Sequence, residues 1–495
     1  MRRHFRRTVT TAAAVATLTG GLLVSTQAQA ATGPAPTRYA DDFNGDGRHD
    51  LAAASAGAAL NVPGADGGTV IAYDAGYVTV SYGSKYGAQK TGLKAVTQNS
   101  PGVPGTAGER QNFGLALANG DFNGDGYADL AVSSRSPFVD WDTPQKGVVT
   151  LLWGSPTGLK GGSTVPVAPA LQYRFGVALA AGDFTGDGKA DLLVGQDSRL
   201  HLFRGPFAAD GRPSRVQPVE LGANVDFGAA GVVRRLAVGR INKGTIDDLV
   251  VLPDGRGRGR VLLGGPSGLR LTEGTVRGGG SAVIADLDRD GYGDITVGDP
   301  EHERDGERWV GRVHVTMGSA AGVDENRAVR TFTEDTTGVP GAPGAGDQFG
   351  SDVAVGDLDR DGRPELIVAA VGENRPTCEH CYVSGGGLYV LKGTAKGPTG
   401  AGAAFYGHKA AGLPALPGVA RIARQLKVTD LDGDRQPEIT LALSSMYESG
   451  QQVWSVGTKD GKVAGASPTR VVRPPADPLI HRTPQFPADL GLITR

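Results

Sequence analysis

An all-β fold, a β-propeller of seven blades, is what this sequence predicts, and three observations predict it. One nine-residue acidic pattern, Asp-x-(Asn/Asp)-x-Asp-Gly-x-x-Asp, recurs seven times including one degenerate copy, and each copy runs straight into an apolar β-type stretch. Successive copies start 79, 62, 57, 46, 71 and 73 residues apart, a length suited to a four-stranded sheet with its connections. Composition agrees: glycine makes up 78 of 495 residues and aromatics only 6%, which suits many short strands joined by tight turns better than long helices.

The chain opens on an address rather than on the fold. Arg2, Arg3, Arg6 and Arg7 form a basic segment, an apolar stretch runs from about Thr11 to Val24, and Ala28-Gln29-Ala30 is a small-x-small cleavage site. Residues 1–30 are therefore expected to be a signal peptide, and the mature protein to be secreted to the cell exterior. Arg2-Arg3-His4-Phe5 is similar to a twin-arginine signal, although basic segments of the general export route look alike. The apolar run falls short of the ~20 residues a bilayer needs. No later segment could span, so no membrane span is expected. Removing the four arginines leaves 46 basic against 52 acidic residues, a balance near −6 that argues against nucleic acid as a partner. A monomer is expected.

Residues 31–495 are expected to form a single propeller, with blades whose Asp loops start near 42, 121, 183, 240, 286, 357 and 430. The second copy shows the unit. Phe113-Gly114 opens a strand ending at Gly120, the Asp loop turns the chain, and Leu130-Ala131-Val132 begins the next strand. After a variable loop, residues 147–154 read as a third strand, closed by Ser155-Pro156-Thr157-Gly158-Leu159. The order returns at Phe175-Gly176, Phe227-Gly228 and Phe349-Gly350, with third strands at 259–264, 311–318 and 387–393. The first Asp loop leaves room for only one preceding strand, over about 37–41, so the last blade or the tail from Thr469 is expected to complete the ring.

The Phe-Gly opening, the centre typified by Gly182 to Leu192 and the Gly-x-Val closing strand resemble the FG-GAP (or VCBS) repeat of the integrin α-subunit propeller and its bacterial secreted relatives. The resemblance covers about Tyr39 to Val456. It departs where Phe-Gly is absent, at Ser281-Ala282 and at Ile422-Ala423.

Calcium takes six to eight oxygens in flexible geometry, and alternate acidic residues with a glycine at the turn supply them within a short loop. Positions 1, 3, 5 and 9 give side chains and position 7 a carbonyl. The expected ligand sets are Asp42, Asn44, Asp46, Arg48 and Asp50; Asp121, Asn123, Asp125, Tyr127 and Asp129; and Asp183, Thr185, Asp187, Lys189 and Asp191. Three further sets are Asp286, Asp288, Asp290, Tyr292 and Asp294; Asp357, Asp359, Asp361, Arg363 and Glu365; and Asp430, Asp432, Asp434, Gln436 and Glu438. Such carboxylates repel one another unless a cation sits among them. Five or six calcium ions are expected, the sixth depending on the loop at Asp430, where Arg435 stands in place of the turn glycine. The copy from Arg240 to Asp248 has lost its acids at positions 1, 3 and 5 and is expected to hold no ion, with Arg240 opposite Asp248 supplying positive charge.

In the family it resembles, partners bind the face opposite the Asp loops. The variable loops there carry Asp140, Trp141 and Asp142; Glu301, His302 and Trp309; and Arg375. Cys378 and Cys381, the only cysteines, are expected to pin their loop as a disulfide in an oxidising exterior, with a metal or redox site as the sharper alternative. The functional expectation is a calcium-stabilised binding, adhesion or interaction scaffold for a protein or polysaccharide ligand. The alternative is a propeller-type hydrolase or polysaccharide lyase using Glu301, His302, Asp305 and His380; no nucleophile elbow or zinc-helix motif accompanies them.

Overall fold

The computed structural model describes residues 39–88, 93, 95–138, 146–222, 233, 235–252, 257–373, 385–414, 420–445, 452–465 and 469–472. The signal segment, the Asp140-Trp141-Asp142 group, Arg375, His380, Cys378 and Cys381 lie outside the described residues.

Each apolar run that follows an Asp loop becomes the second strand of a sheet, and the seven sheets so formed are the blades of a seven-bladed propeller. Blade 1 comprises Leu51–Ser55, Tyr77–Ser81 and Ala95–Val96, and blade 2 comprises Leu117–Gly120, Asp129–Arg135, Gly147–Leu152 and Gly162–Thr164. Blade 3 comprises Phe175–Gly182, Asp191–Gln196, Arg199–Arg204 and Arg215–Val219, and blade 4 Arg235–Gly239, Asp248–Leu252, Arg258–Leu263 and Arg270–Arg277. Blade 5 comprises Ala282–Ala285, Asp294–Asp299, Arg312–Thr316 and Arg330–Phe332, and blade 6 Phe349–Gly356, Glu365–Ala370, Gly387–Lys392 and Thr399–Gly407. Blade 7 comprises Ala420–Thr429, Glu438–Ser445, Gln452–Val456 and Thr469–Val472. Strands pair in chain order and antiparallel, so each blade is a meander.

The second strands are buried along all or nearly all of their length, as at Asp248–Leu252 and Glu365–Ala370, with Arg135 at the end of its strand in blade 2 exposed. Blades stack face to face, so a middle strand meets a neighbour on both sides and reads as a continuous apolar run instead of an alternating one. The core accordingly lies between blades. Phe122 and Leu151 meet Phe175 and Leu192, Leu193 meets Leu249, Ile241 meets Ile295, Leu287 meets Phe349, and Leu358 meets Leu426. Phe43 meets Phe113 in the same way, and the ring closes where Leu51, Ala53 and Ala88 of blade 1 meet Leu431, Ala442 and Val453 of blade 7.

The Phe-Gly openings at 175 and 349 are bulges in the innermost strands. Blade 7 keeps that bulge without the motif, and buried Ala423 takes a φ of 62° where Gly176 and Gly350 take 82° and 84°.

The ring's seam differs from the expectation drawn for residues 37–41. Residues 39–41 turn instead of forming a strand, so blade 1 has three strands among the described residues. Side chains from both neighbours hold the turn in the innermost place. Asn119 of blade 2 donates to the Ala40 carbonyl at 2.6 Å, and Lys427 of blade 7 pairs with Asp41 at 2.9 Å. Thr469–Val472 pairs as the outer strand of blade 7 itself. Burial alone would raise the Asp41 carboxyl, but the Lys427 charge and the His49 ring outweigh it and hold the group down at about 2.

Lys427→Met is expected to lower stability by about 3–5 kcal/mol, because it strands a buried carboxylate. Adding Asp41→Asn should restore most of that loss; denaturant melts of the single and double variants check it, and a double variant no better than the single would show that Lys427 acts only through packing.

Candidate metal-binding loops and the opposite face

Chain direction reverses at each connection, so loops joining first to second strands, and third to fourth, lie at one face. Loops joining second to third strands, and the crossings between blades, lie at the other. All the Asp loops therefore share one face, and the loop carrying Glu301, His302 and Trp309 sits on the opposite one.

Each Asp loop is wound around its own carboxylates. Asp121 accepts N–H bonds from Gly124, Asp125 and Gly126 at 2.7, 3.1 and 3.0 Å. Asp183 does the same with Gly186, Asp187 and Gly188, and Asp42 with Asp46 and Gly47. The acid or amide at position 3 accepts from position 5, as Asn44, Asn123, Asp288, Asp359 and Asp432 do. Position 5 accepts from the N–H at position 7, in Asp46, Asp125, Asp187, Asp290, Asp361 and Asp434. The residues at position 7, Arg48, Tyr127, Lys189, Tyr292, Arg363 and Gln436, thus enter the loop through their backbone, as Asx-type turns require.

Arg435 takes the turn position with a φ of 72°, the left-handed conformation expected of it. Arg289 and Arg360 at position 4 are also left-handed, at 63° and 59°. That second demand on the turn went unread in the sequence because four loops meet it with glycine.

The ninth position has a task the acidic pattern did not disclose. Its carboxylate accepts the N–H of position 2 with one oxygen and, with the other, the N–H of the glycine that ends the third strand. Asp50 bridges Phe43 and Gly83 at 2.8 and 2.8 Å, Asp129 bridges Phe122 and Gly154 at 3.0 and 2.8 Å, and Asp294 bridges Leu287 and Gly318 at 3.0 and 3.0 Å. Glu365 bridges Leu358 and Gly393 in the same way, while Glu438 accepts from Leu431 and Asp191 from Gly205. The third strand must end on glycine here, since a Cβ on Gly154 would lie 2.2 Å from the Ala128 carbonyl oxygen. Burial, with the neighbouring loop acids adding to it, pushes Asp50 and Asp129 up to about 8 and Asp294, Glu365 and Glu438 to about 7.

The degenerate fourth loop keeps only this bridge. Asp248 accepts from Ile241, Asn242 and Gly264, so Arg240 does not serve it as expected; Arg240 lies 3.6 Å from Asp247 instead. Both Asp248 oxygens are already occupied by N–H groups, and Asp247 is the acid left beside the guanidinium. Lys243 sits over the Tyr292 ring of the next loop at 4.3 Å.

Oxygen donors converge in several loops. Asp286, Asp288 and Asp290 offer oxygens within 4.8 Å of one another, as do Asp357, Asp359 and Asp361, and Asp430, Asp432 and Asp434. Asp286 Oδ1, Asp357 Oδ1, Thr185 Oγ1 and Asp191 Oδ2 are buried without a hydrogen-bond partner. Partnerless buried oxygens in an all-oxygen donor set suit a hard cation. Arg327, which the sequence pattern gave no reason to single out, reaches Asp288 at 2.7 Å and Asp290 at 3.3 Å and competes for the same oxygens.

On the opposite face, Glu301, His302 and Trp309 share one loop. The Trp309 side chain is exposed (52%), and its carbonyl accepts the Gln348 N–H of the neighbouring crossing at 2.9 Å. Asp305 forms an exposed pair with Arg304. A cleft of about 350 Å³ opens elsewhere, beside the Asp loops at the seam, lined by Asp41, His49, Asp357, Lys427, Asp430 and Arg435 among others.

Residues 121–194 match the FG-GAP-like repeat and residues 349–391 the FG-GAP repeat. The chain is 33% identical to human integrin alpha-IIb over 268 residues, 53% of this chain and 20% of the integrin. It is 29% identical to the bovine phosphatidylinositol-glycan-specific phospholipase D over 187 residues, 36% of this chain and 20% of that protein. Over 102 residues, 18% of this chain and 7% of the relative, it is 40% identical to integrin alpha-PS2 of Drosophila melanogaster. The chain thus spans about a fifth or less of the length of these relatives.

The two kinds of acid separate experimentally. Asp248→Ala deprives the N–H groups of Ile241, Asn242 and Gly264 of their acceptor and is expected to cost about 1–3 kcal/mol equally in calcium and in chelator. Asp125→Ala removes only exposed bonds and is expected to cost stability chiefly in calcium. Thermal melts in both conditions check it, and a calcium-dependent cost for Asp248→Ala would contradict the bridging role.

Proposed function

We propose that this chain, a seven-bladed propeller built of FG-GAP repeats, is a secreted binding scaffold stabilised by five or six calcium ions and engaging a protein or polysaccharide through the face opposite its Asp loops. The observation that carries the reading is the division of the two faces. One is taken up by loops wound on their own acids, and the other offers an exposed tryptophan on backbone anchored to the next blade. A half-exposed aromatic on a fixed loop is a favourable anchor, since little side-chain freedom is lost when a partner covers it. The likeness to integrin α-subunits supports the same use of the fold. The basic, apolar, small-x-small start of the chain supports secretion, and no helix among the described residues is long and apolar enough to cross a membrane.

The ligand sets for calcium are those of the six intact loops. A cation supplies charge neutralisation there, while the loop backbone fixes the oxygens in advance. With affinities of the extracellular kind, each ion in millimolar calcium contributes roughly 0.4–1.4 kcal/mol, so the set together rivals the stability of a domain. Chelation is expected to lower the melting temperature by many degrees, and equal melting curves in calcium and chelator would reduce the Asp loops to plain turns.

The binding reading is tested by probing glycan and protein arrays with the calcium-loaded chain and with Trp309→Ala. The variant is expected to melt unchanged and to bind any captured ligand at least tenfold more weakly. Undiminished binding would move the ligand site off this loop.

A further inference from the structure

The crossing from blade 5 to blade 6 assembles three acids that no acidic repeat announces. Glu334 follows the strand Arg330–Phe332, Asp347 precedes Phe349–Gly356, and Glu373 follows Glu365–Ala370, all at the face opposite the Asp loops. Glu334 is 2% exposed and Glu373 8%, and the three carboxylates offer oxygens within 4.8 Å of one another.

Their partners do not satisfy them. The Tyr389 hydroxyl donates to Glu334 Oε1, and the Gly344 N–H donates to Asp347 Oδ2 at 2.5 Å. Oε2 of Glu334 and Oε2 of Glu373 are buried with no partner. No lysine, arginine or histidine forms an ion pair with any of the three among the described residues.

A second copy of the same crossing shows that the backbone does not need these charges. Residues 97–114 repeat 333–350 position for position, sharing the Gly-Val-Pro-Gly of 102–105 and 338–341 and the closing Phe-Gly. The turns are equivalent: Thr97 N donates to Ser100 Oγ at 3.0 Å, and Thr333 N to Thr336 Oγ1 at 2.9 Å. In the first copy Gln98 and Gln111 occupy the places of Glu334 and Asp347, and Thr150 that of Tyr389 by its register in the blade. Neutral amides therefore serve one crossing and carboxylates the other.

Unpaired buried carboxylates are costly, and three within reach of each other repel as well. An all-oxygen donor set of this kind matches a hard divalent cation. We propose that Glu334, Asp347 and Glu373 bind one hard divalent cation of the calcium or magnesium class, at a site separate from the Asp loops, with Tyr389 orienting Glu334. The ion would tie the crossing to the start of the blade 6 variable loop. The same crossing holds the Trp309 loop, through Gly346 N to the Arg308 carbonyl and Gln348 N to the Trp309 carbonyl, both at 2.9 Å. The site does not depend on the binding reading above.

The test is ion stoichiometry of the full chain by equilibrium dialysis against calcium alone. Glu334→Gln with Asp347→Asn imitates the neutral first crossing and is expected to fold and bind one ion fewer per chain. Asp121→Asn with Asp125→Asn serves as the Asp-loop control, and combining both pairs is expected to remove two. A folded double variant with unchanged stoichiometry overturns the proposal and leaves shared protons as the means of neutralising the acids. Should the variant not fold, wild-type crystals soaked in manganese decide. An anomalous peak between the three carboxylates sustains the proposal, and peaks at the Asp loops with none there refute it.

Discussion

In every intact loop, and in the degenerate one, a carboxylate at the ninth position, buried in all but the half-buried Glu438, accepts backbone N–H groups that would otherwise be orphaned where the chain turns. In most blades one oxygen takes the N–H of position 2 and the other that of the third strand's last glycine, so one side chain joins the loop to the far side of its own sheet. Position 2 then fills the blade boundary: Phe43, Phe122, Phe184, Ile241, Leu287, Leu358 and Leu431 are all fully buried. Its carbonyl accepts an N–H from the next blade, as Phe43 does from Ser155, Phe122 from Phe207 and Phe184 from Gly265. A cation at the loop would thus act on a junction already engaged with both its own blade and its neighbour. The fourth loop keeps Asp248 while losing the other acids, which is the order of loss expected if the bridge is needed for the fold and the ion is not.

Much of the fold was legible because its unit is short and repeated. The nine-residue pattern locates each turn, the apolar run behind it locates the doubly covered strand, and glycine counts place the third strand's end. Arg435 was legible as a strained turn because the pattern names the position that must be left-handed. The bond that Arg240 would make was not, since pairing depends on which oxygens the backbone has already used. Arg327 was equally hidden: it arrives at Asp288 from beyond the third strand of blade 5, and nothing in local spacing links the two. The acids at 334, 347 and 373 come from three different turns, and only a residue-by-residue comparison of the two crossings would have marked the first two as substitutions.

Among the described residues the seam brings the first and last blades together with no strand exchanged between them. Its apolar cluster is small, made of Leu51, Ala53, Ala88, Leu431, Ala442 and Val453 with no aromatic ring, where the boundary of blades 2 and 3 adds Phe122, Phe175, Phe203 and Phe207. Polar latches stand beside that thinner packing. Lys427 reaches Asp41, and Arg48 of the first loop donates to the Asp432 carbonyl of the last at 2.7 Å. Both latches join residues far apart in sequence, so they form only once all seven blades are in place, and they reward completion of the ring more than any single blade.

The two faces can diverge because they carry different constraints. On the Asp-loop face the first- and ninth-position carboxylates are bonded to the loop's own backbone and to the end of the third strand, so a substitution at those positions disturbs the junction as well as the surface. On the other face the variable loops leave the sheet after the second strand and return at the third, and their length is free to change without shifting a ladder. The paired crossings at 97–114 and 333–350 illustrate that freedom: one backbone path tolerates two amides or two carboxylates, and the choice alters charge and metal chemistry while the turn is unchanged. A fold that separates its fixed face from its variable one can acquire a new binding property by substituting side chains at a crossing, with the blade stack left as it was.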